Sequence, residues 1–90
     1  MELDKGSLAD VVVRLRRAQG QIGGVIKMID EGRDCAELIN QLAAVSRALD
    51  RAGFKIIATG LEHCFAEQNT GTEQAEIDRA QLEKLFLTLA

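Results

Sequence analysis

From Cys35 to Phe65 the chain keeps a three-to-four apolar spacing through Leu38, Ile39, Leu42, Val45, Leu49, Ala52, Ile56, Ile57, Leu61, Cys64 and Phe65, and no proline interrupts it. Such a run predicts one helix of about 32 residues, close to 48 Å long at a rise of about 1.5 Å per residue. Gly53 and Gly60 each weaken it by roughly 1 kcal/mol relative to Ala, yet the periodicity continues past both. In a chain of 90 residues one helix of this length leaves too little sequence to wrap it. Partner subunits are therefore expected to cover its ends.

The rest of the sequence is also helical in pattern. Ser7, with Asp10 three residues on, is the expected N-cap of a first helix bearing Leu8, Val11, Val12, Leu15, Ala18, Ile22, Val25, Ile26 and Ile29. That helix is expected to stop at Asp30-Glu31-Gly32, with Gly32 in the left-handed C-terminal position. Asp34 followed by Glu37 reads as a capping box opening the long helix, which puts Cys35 at its first helical position. After a turn over residues 68–71, Thr70 and Glu73 are expected to cap a third helix carrying Ala75, Ile77, Leu82, Leu85, Phe86 and Leu89. The apolar content is 47%, with three Phe and no Trp, Tyr or Pro, so it consists mainly of Ala, Leu, Ile and Val and suits helix packing. The fold class is all-α, one domain over residues 1–90, with an antiparallel helical dimer as the minimal assembly.

The chain's two cysteines are Cys35 and Cys64. Placed on one helix they lie on the order of 40 Å apart, whereas a disulfide needs Cα atoms within about 7 Å. If they act together, they act between subunits: an antiparallel pairing of the long helix with its copy, crossing near Leu49 and Asp50, brings Cys35 of one chain towards Cys64 of the other. The helix N-terminus and Arg33 favour a thiolate at Cys35, and Asp34 and Glu37 oppose it. The competing reading is a small buried hydrophobe near a helix start. Cys64 alone reads as a core residue. His63 points about 100° away from its neighbour Cys64 on a helix, so it reads as a rim histidine rather than a ligand.

Nothing at Met1 to Lys5 resembles a signal peptide and no apolar run approaches about 18 residues, so the expected compartment is the cytoplasm, away from membranes. Thiols there stay reduced, which points to metal binding or redox sensing ahead of a structural disulfide. The net charge is −3, but it is segregated: Val11 to Ile29 holds four basic residues (Arg14, Arg16, Arg17, Lys27) and no acid, while Gly60 to Ala90 holds six acids against Arg79 and Lys84. Arg47, Arg51 and Lys55 recur at four-residue steps on the long helix. This is either a nucleic-acid-binding face or a solvated stripe with intrahelical ion pairs. Helix-turn-helix, zinc-finger spacing and aromatic platforms are missing, so DNA contact would rest on phosphates and shape. No catalytic triad, carboxylate pair or phosphate loop stands out, and an enzyme is not expected.

The segment Arg14-Leu-Arg-Arg-Ala-Gln-Gly-Gln-Ile-Gly-Gly24, the cysteine opening the second helix and Glu62-His-Cys-Phe65 together resemble the copper-sensitive operon repressor family (CsoR/RcnR). The resemblance implies dimers of antiparallel helix pairs assembling into tetramers, and repression of transcription until an inducer weakens binding to double-stranded operator DNA. It carries Arg14, Arg16 and Arg17, with Arg47, Arg51 and Lys55, to the DNA contact. Copper-sensing members place a histidine four residues before the second cysteine, and this chain has Gly60 there. The N-terminal histidines of nickel and cobalt sensors and the N-terminal proline of the formaldehyde-responsive branch are likewise missing. The pattern looks most like the persulfide-sensing branch, the CsoR-like sulfurtransferase repressors (CstR). That implies attack by Cys35 on a sulfane-sulfur molecule and capture by Cys64 of the partner subunit as a di- to tetrasulfide. No cofactor is expected. The alternative is Cu(I) held by the same two thiolates.

Overall fold

The computed structural model describes residues 1–66 and 70–90. Three helices follow in order: α1 Ala9–Asp30, α2 Cys35–Cys64 and α3 Glu73–Leu89. Among the described residues there is no strand, as the composition implies. No helix among them is long and apolar enough to cross a membrane.

α2 is the spine, with α1 and α3 each packing on it and not on each other. The buried residues of α1 are Val11, Ala18 and Val25, and those of α2 include Val45, Ala52 and Thr59. Both sets recur every seven residues, the seam of an antiparallel pair with a small residue at its centre that lets the backbones approach. The buried Thr59 hydroxyl is satisfied locally, donating to the Lys55 carbonyl at 2.9 Å. α3 returns along the C-terminal half of α2, where Ile57, Cys64 and Leu82 form a core with Phe54 and Leu61 against it. Phe54 and Phe86 add a tilted ring contact with centroids 5.3 Å apart.

Two glycines make that return possible. A Cβ at Gly53 would lie 2.7 Å from Leu89 Cδ1, and one at Gly60 would lie 2.9 Å from Leu82 Cδ2. The positions that cost the isolated helix most are thus the holes into which α3 inserts its leucines.

Three local expectations need correction. α1 is not capped by Ser7: its N-cap is Leu8, which makes no side-chain cap bond, while the Ser7 amide donates to Asp4 Oδ1 at 2.7 Å in the turn before it. α3 is capped by Thr72, whose Oγ1 accepts from the Ala75 amide at 3.0 Å. Thr70 instead donates to the Phe65 and Ala66 carbonyls at the end of α2. Half of the capping box on α2 forms: Asp34 accepts from the Ala36 amide at 3.0 Å, whereas Glu37 accepts from Arg33 Nε at 2.8 Å. Gly32 has the expected positive φ of 69°. Of the expected 68–71 turn, Gly71 has a φ of 80°, and residues 68 and 69 lie outside the described residues.

The result is a slab of 56 × 25 × 13 Å with a radius of gyration of 17.2 Å, against about 12 Å for a compact chain of this length. Val12, Leu15, Ile22, Ile26 and Ile29 of α1 and Ile39, Leu42, Leu49 and Ile56 of α2 are 40–59% exposed. This is a larger apolar surface than a lone soluble domain usually leaves uncovered.

Candidate functional site

Cys35 is the first residue of α2 and Cys64 the last. At about 100° per residue, Cys35, Ile39, Leu42, Gly53, Gly60 and Cys64 fall within about 40° of one line along the helix. The two ends of that line differ in cover. Cys35, Ile39 and Leu42 are exposed, whereas Gly60 and Cys64 lie beneath α3 and are buried. Both thiols are free, and their separation along α2 excludes a bridge within one chain.

Their environments are unequal. Arg33 shares its charge with Glu31 at 3.5 Å and Glu37 at 2.8 Å, so the cation expected to assist Cys35 is largely engaged by carboxylates. Burial pushes the Cys64 thiol above its ordinary value, and the negative charge of Asp78 on α3 adds to the shift. Asp78 is itself buried and accepts from Gln74 Nε2 at 3.0 Å. Cys64 is thus a covered thiol whose ionisation is disfavoured, and Cys35 an open one. His63, next to Cys64 in sequence, is exposed and lines a separate polar cavity with Glu2, Asp4, Ser7, Thr59 and Glu62, in keeping with the divergence of adjacent helical side chains. Among the described residues of one chain, no three His, Cys, Asp or Glu residues are grouped to hold a metal.

The basic residues lie on the other side of the spine. Arg47, Arg51 and Lys55 sit roughly 120–160° around α2 from Cys35. The fold brings Arg14, Arg17 and Arg51 together with Gln21 and Ala48 around one groove of about 180 Å³ between α1 and α2. Asp10 on its rim is held below the usual carboxylate range, first by the hydrogen bond from Arg14 and then by the charges of Arg14, Lys55 and Arg17. Lys55 therefore belongs to the same field, while Arg16 and Arg47 are exposed and do not line the groove. Of the six expected cations only Arg14 is ion-paired among the described residues, to Asp10 at 2.9 Å with both side chains about half exposed (46% and 54%). Among the described residues Arg47, Arg51 and Lys55 make no ion pair along α2.

Sequence reasoning missed Gln21. Its Oε1 is buried without a hydrogen-bond partner among the described residues, at the floor of the arginine groove. A polar residue at a partly buried helix position was the available signal, hidden inside the glycine-rich segment.

A family description, metal-sensitive transcriptional repressor, matches residues 7–89. The chain belongs to this family. Its members are regulators of transcription, not enzymes. Among similar proteins, the copper-sensing transcriptional repressor RicR of Mycobacterium tuberculosis is 37% identical over 51 residues, covering 57% of this chain and 53% of the relative. The copper-sensing transcriptional repressor CsoR of Mycobacterium ulcerans is 38% identical over 66 residues, covering 72% and 56%. A Bacillus subtilis protein named YrkD is 50% identical over 40 residues, covering 44% and 64%. The chain thus spans less than two thirds of the length of these curated relatives.

Proposed function

We propose that this chain is an operator-binding repressor whose sensor is a two-thiol site between subunits, made of Cys35 and Cys64 of the partner subunit, and that its inducer is a sulfane-sulfur species. The observation that carries the reading is the pair of unequal thiols at the two ends of one helical line, with glycine at position 60 where a third ligand would stand. The exposed apolar residues of α1 and α2 support assembly as an antiparallel dimer, and the groove of Arg14, Arg17 and Arg51 supports phosphate contact.

The chemistry balances without an added oxidant. The Cys35 thiolate attacks the outer sulfur of a low-molecular-weight persulfide, forming a protein persulfide and expelling the donor's thiolate. Cys64 of the partner subunit, once uncovered, loses its proton to solvent and attacks the inner sulfur as the thiolate, forming a disulfide and expelling hydrosulfide. If Cys64 has been persulfidated as well, the Cys35 persulfide anion attacks its inner sulfur, and the product is a trisulfide with the same leaving group. Because Cys64 lies beneath α3, bridge formation requires α3 to shift along the C-terminal half of α2. That half carries Arg51 and Lys55 on its opposite side, which links the bridge to the loss of DNA affinity.

The second reading is Cu(I) bound linearly by the same two thiolates. It is favoured by the names of the relatives, which are copper sensors. Intact mass under non-reducing conditions after sodium tetrasulfide treatment tests the first: a covalent dimer that requires both cysteines is expected, at the mass of the disulfide or with sulfur added for each longer bridge. An unchanged monomer mass, together with stoichiometric anaerobic Cu(I) binding that abolishes DNA affinity, overturns it in favour of copper.

A further inference from the structure

Position 60 is more than a missing ligand. Gly60 is buried on α2 one turn before Cys64, and Leu82 of α3 is 3% exposed above it. A Cβ at position 60 would lie 2.9 Å from Leu82 Cδ2, 3.2 Å from Cδ1 and 3.6 Å from Cγ. The first of these is closer than packed carbon atoms tolerate. The space a ligating side chain would need next to Cys64 is therefore filled by a branched apolar side chain held in the α2–α3 core with Ile57, Phe54 and Leu61. The same device recurs one heptad earlier, where Leu89 fills the space over Gly53. Two leucines spaced by seven residues on α3 meet two glycines spaced by seven on α2, so any side chain added at position 60 must displace the Leu82 methyls from the core they share with Ile57, Phe54 and Leu61.

We infer that Gly60 and Leu82 act as a paired specificity filter: the leucine occupies the place of a third ligand, restricting the sensor to two sulfurs and excluding a nitrogen donor even when one is supplied by substitution. This deepens the two-thiol reading and rests on it. Leu82 acts by occupying space and touches no inducer, so it is a positioning residue. Its role predicts an order of effects. Gly60→His alone gains no nitrogen ligand and loses thermal stability, because the imidazole and Leu82 compete for one volume. Gly60→His combined with Leu82→Ala makes room, recovers part of that stability and binds Cu(I) through two sulfurs and one nitrogen. Its affinity rises by roughly 10–100-fold, the scale on which changes to a metal's surroundings act.

The test uses the full chain loaded anaerobically with Cu(I), with X-ray absorption to count sulfur and nitrogen scatterers and with thermal unfolding midpoints of the apo proteins. Nitrogen ligation in the double variant and sulfur-only ligation in Gly60→His support the filter. Nitrogen ligation in Gly60→His at undiminished stability overturns it. Should the histidine variants fail to fold, a cycle of Gly60→Ala and Leu82→Ala decides: Gly60→Ala, which gains helix propensity but meets Leu82, shifts the midpoint more favourably when Leu82 is already truncated, and an equal shift in both backgrounds refutes the contact. Tetrasulfide treatment of the wild-type protein is read separately by mass, so a failure of the sulfur-sensing reading is distinguishable from a failure of the filter.

Discussion

Substituting Arg17 and Arg51 by Ala removes two cations that line the α1–α2 groove and carry no ion pair among the described residues. Each phosphate contact contributes about 0.9 to the magnitude of the slope of log affinity against log salt. Between about 50 and about 200 mM salt one contact therefore accounts for roughly a 3.5-fold loss of affinity, and two account for about 12-fold per chain engaged. The double variant should bind more weakly at low salt and lose that much less on salt addition. Arg14 behaves differently, because its guanidinium already donates to Asp10 at 2.9 Å. Arg14→Ala should change the slope less than Arg17→Ala, and Asp10→Asn, which frees Arg14 and removes a negative charge from the rim, should tighten binding. Fluorescence anisotropy of a labelled duplex from the chain's own promoter region, titrated at four salt concentrations, measures all of these. Circular dichroism confirms that the helices are intact. Parallel log–log lines for wild type and the Arg17/Arg51 variant would refute the phosphate groove, whatever the change in absolute affinity.

Three further outcomes follow from the packing around α3. Leu82→Ala should cost about 2–5 kcal/mol in denaturant unfolding, the usual range for truncating a buried leucine, and should speed alkylation of Cys64, a thiol that α3 covers. Thr72→Ala should cost about 1 kcal/mol through loss of the cap to the Ala75 amide, with Thr70→Ala leaving that cap in place; equal costs would contradict the assignment of the cap. The Cys64 thiol is raised in the folded chain above its ordinary 9.0, so the unfolded chain gives up its proton first as pH rises. The stability tied to it is full below that value and falls above it. Unfolding followed from neutral pH into the alkaline range should show this decline in wild type and a weaker one in Cys64→Ala.

Much of the architecture was legible because helices announce themselves locally. The uninterrupted period from Cys35 onward marks a helix whose observed length is 30 residues, and Asp34 and Gly32 mark its boundary with α1 by side-chain chemistry and backbone freedom respectively. Cap choice was less legible. Two threonines, Thr70 and Thr72, stand at the same helix start, and which hydroxyl reaches an amide depends on the path of the turn. Ser7 was misread for the same reason, since Asp4 competes for its amide. That Cys64 is a core residue and Cys35 lies at an open helix start was legible from their positions on the helix, but the residues that bury Cys64 and raise its value, Leu82 and Asp78 among them, come from a helix remote in sequence. The basic residues were legible as a set of six. That three of them share one groove with Gln21, and that Arg16 and Arg47 stand outside it, follows from the register of α1 on α2.

By itself the sequence determined that the chain is helical, that its cysteines cannot meet within one chain, and that its positive charge is concentrated in α1 and the middle of α2. These are consequences of spacing along one axis, which a linear pattern records directly. Only the tertiary structure decided what Gly60 is for. Read along the chain it is a weak point in a helix and a vacancy in a ligand set; with α3 in place it is the hole that Leu82 fills. A residue without a side chain acquires its meaning from the atoms of another element that occupy its space, and contacts of that kind are set by packing between helices, not by pattern within one.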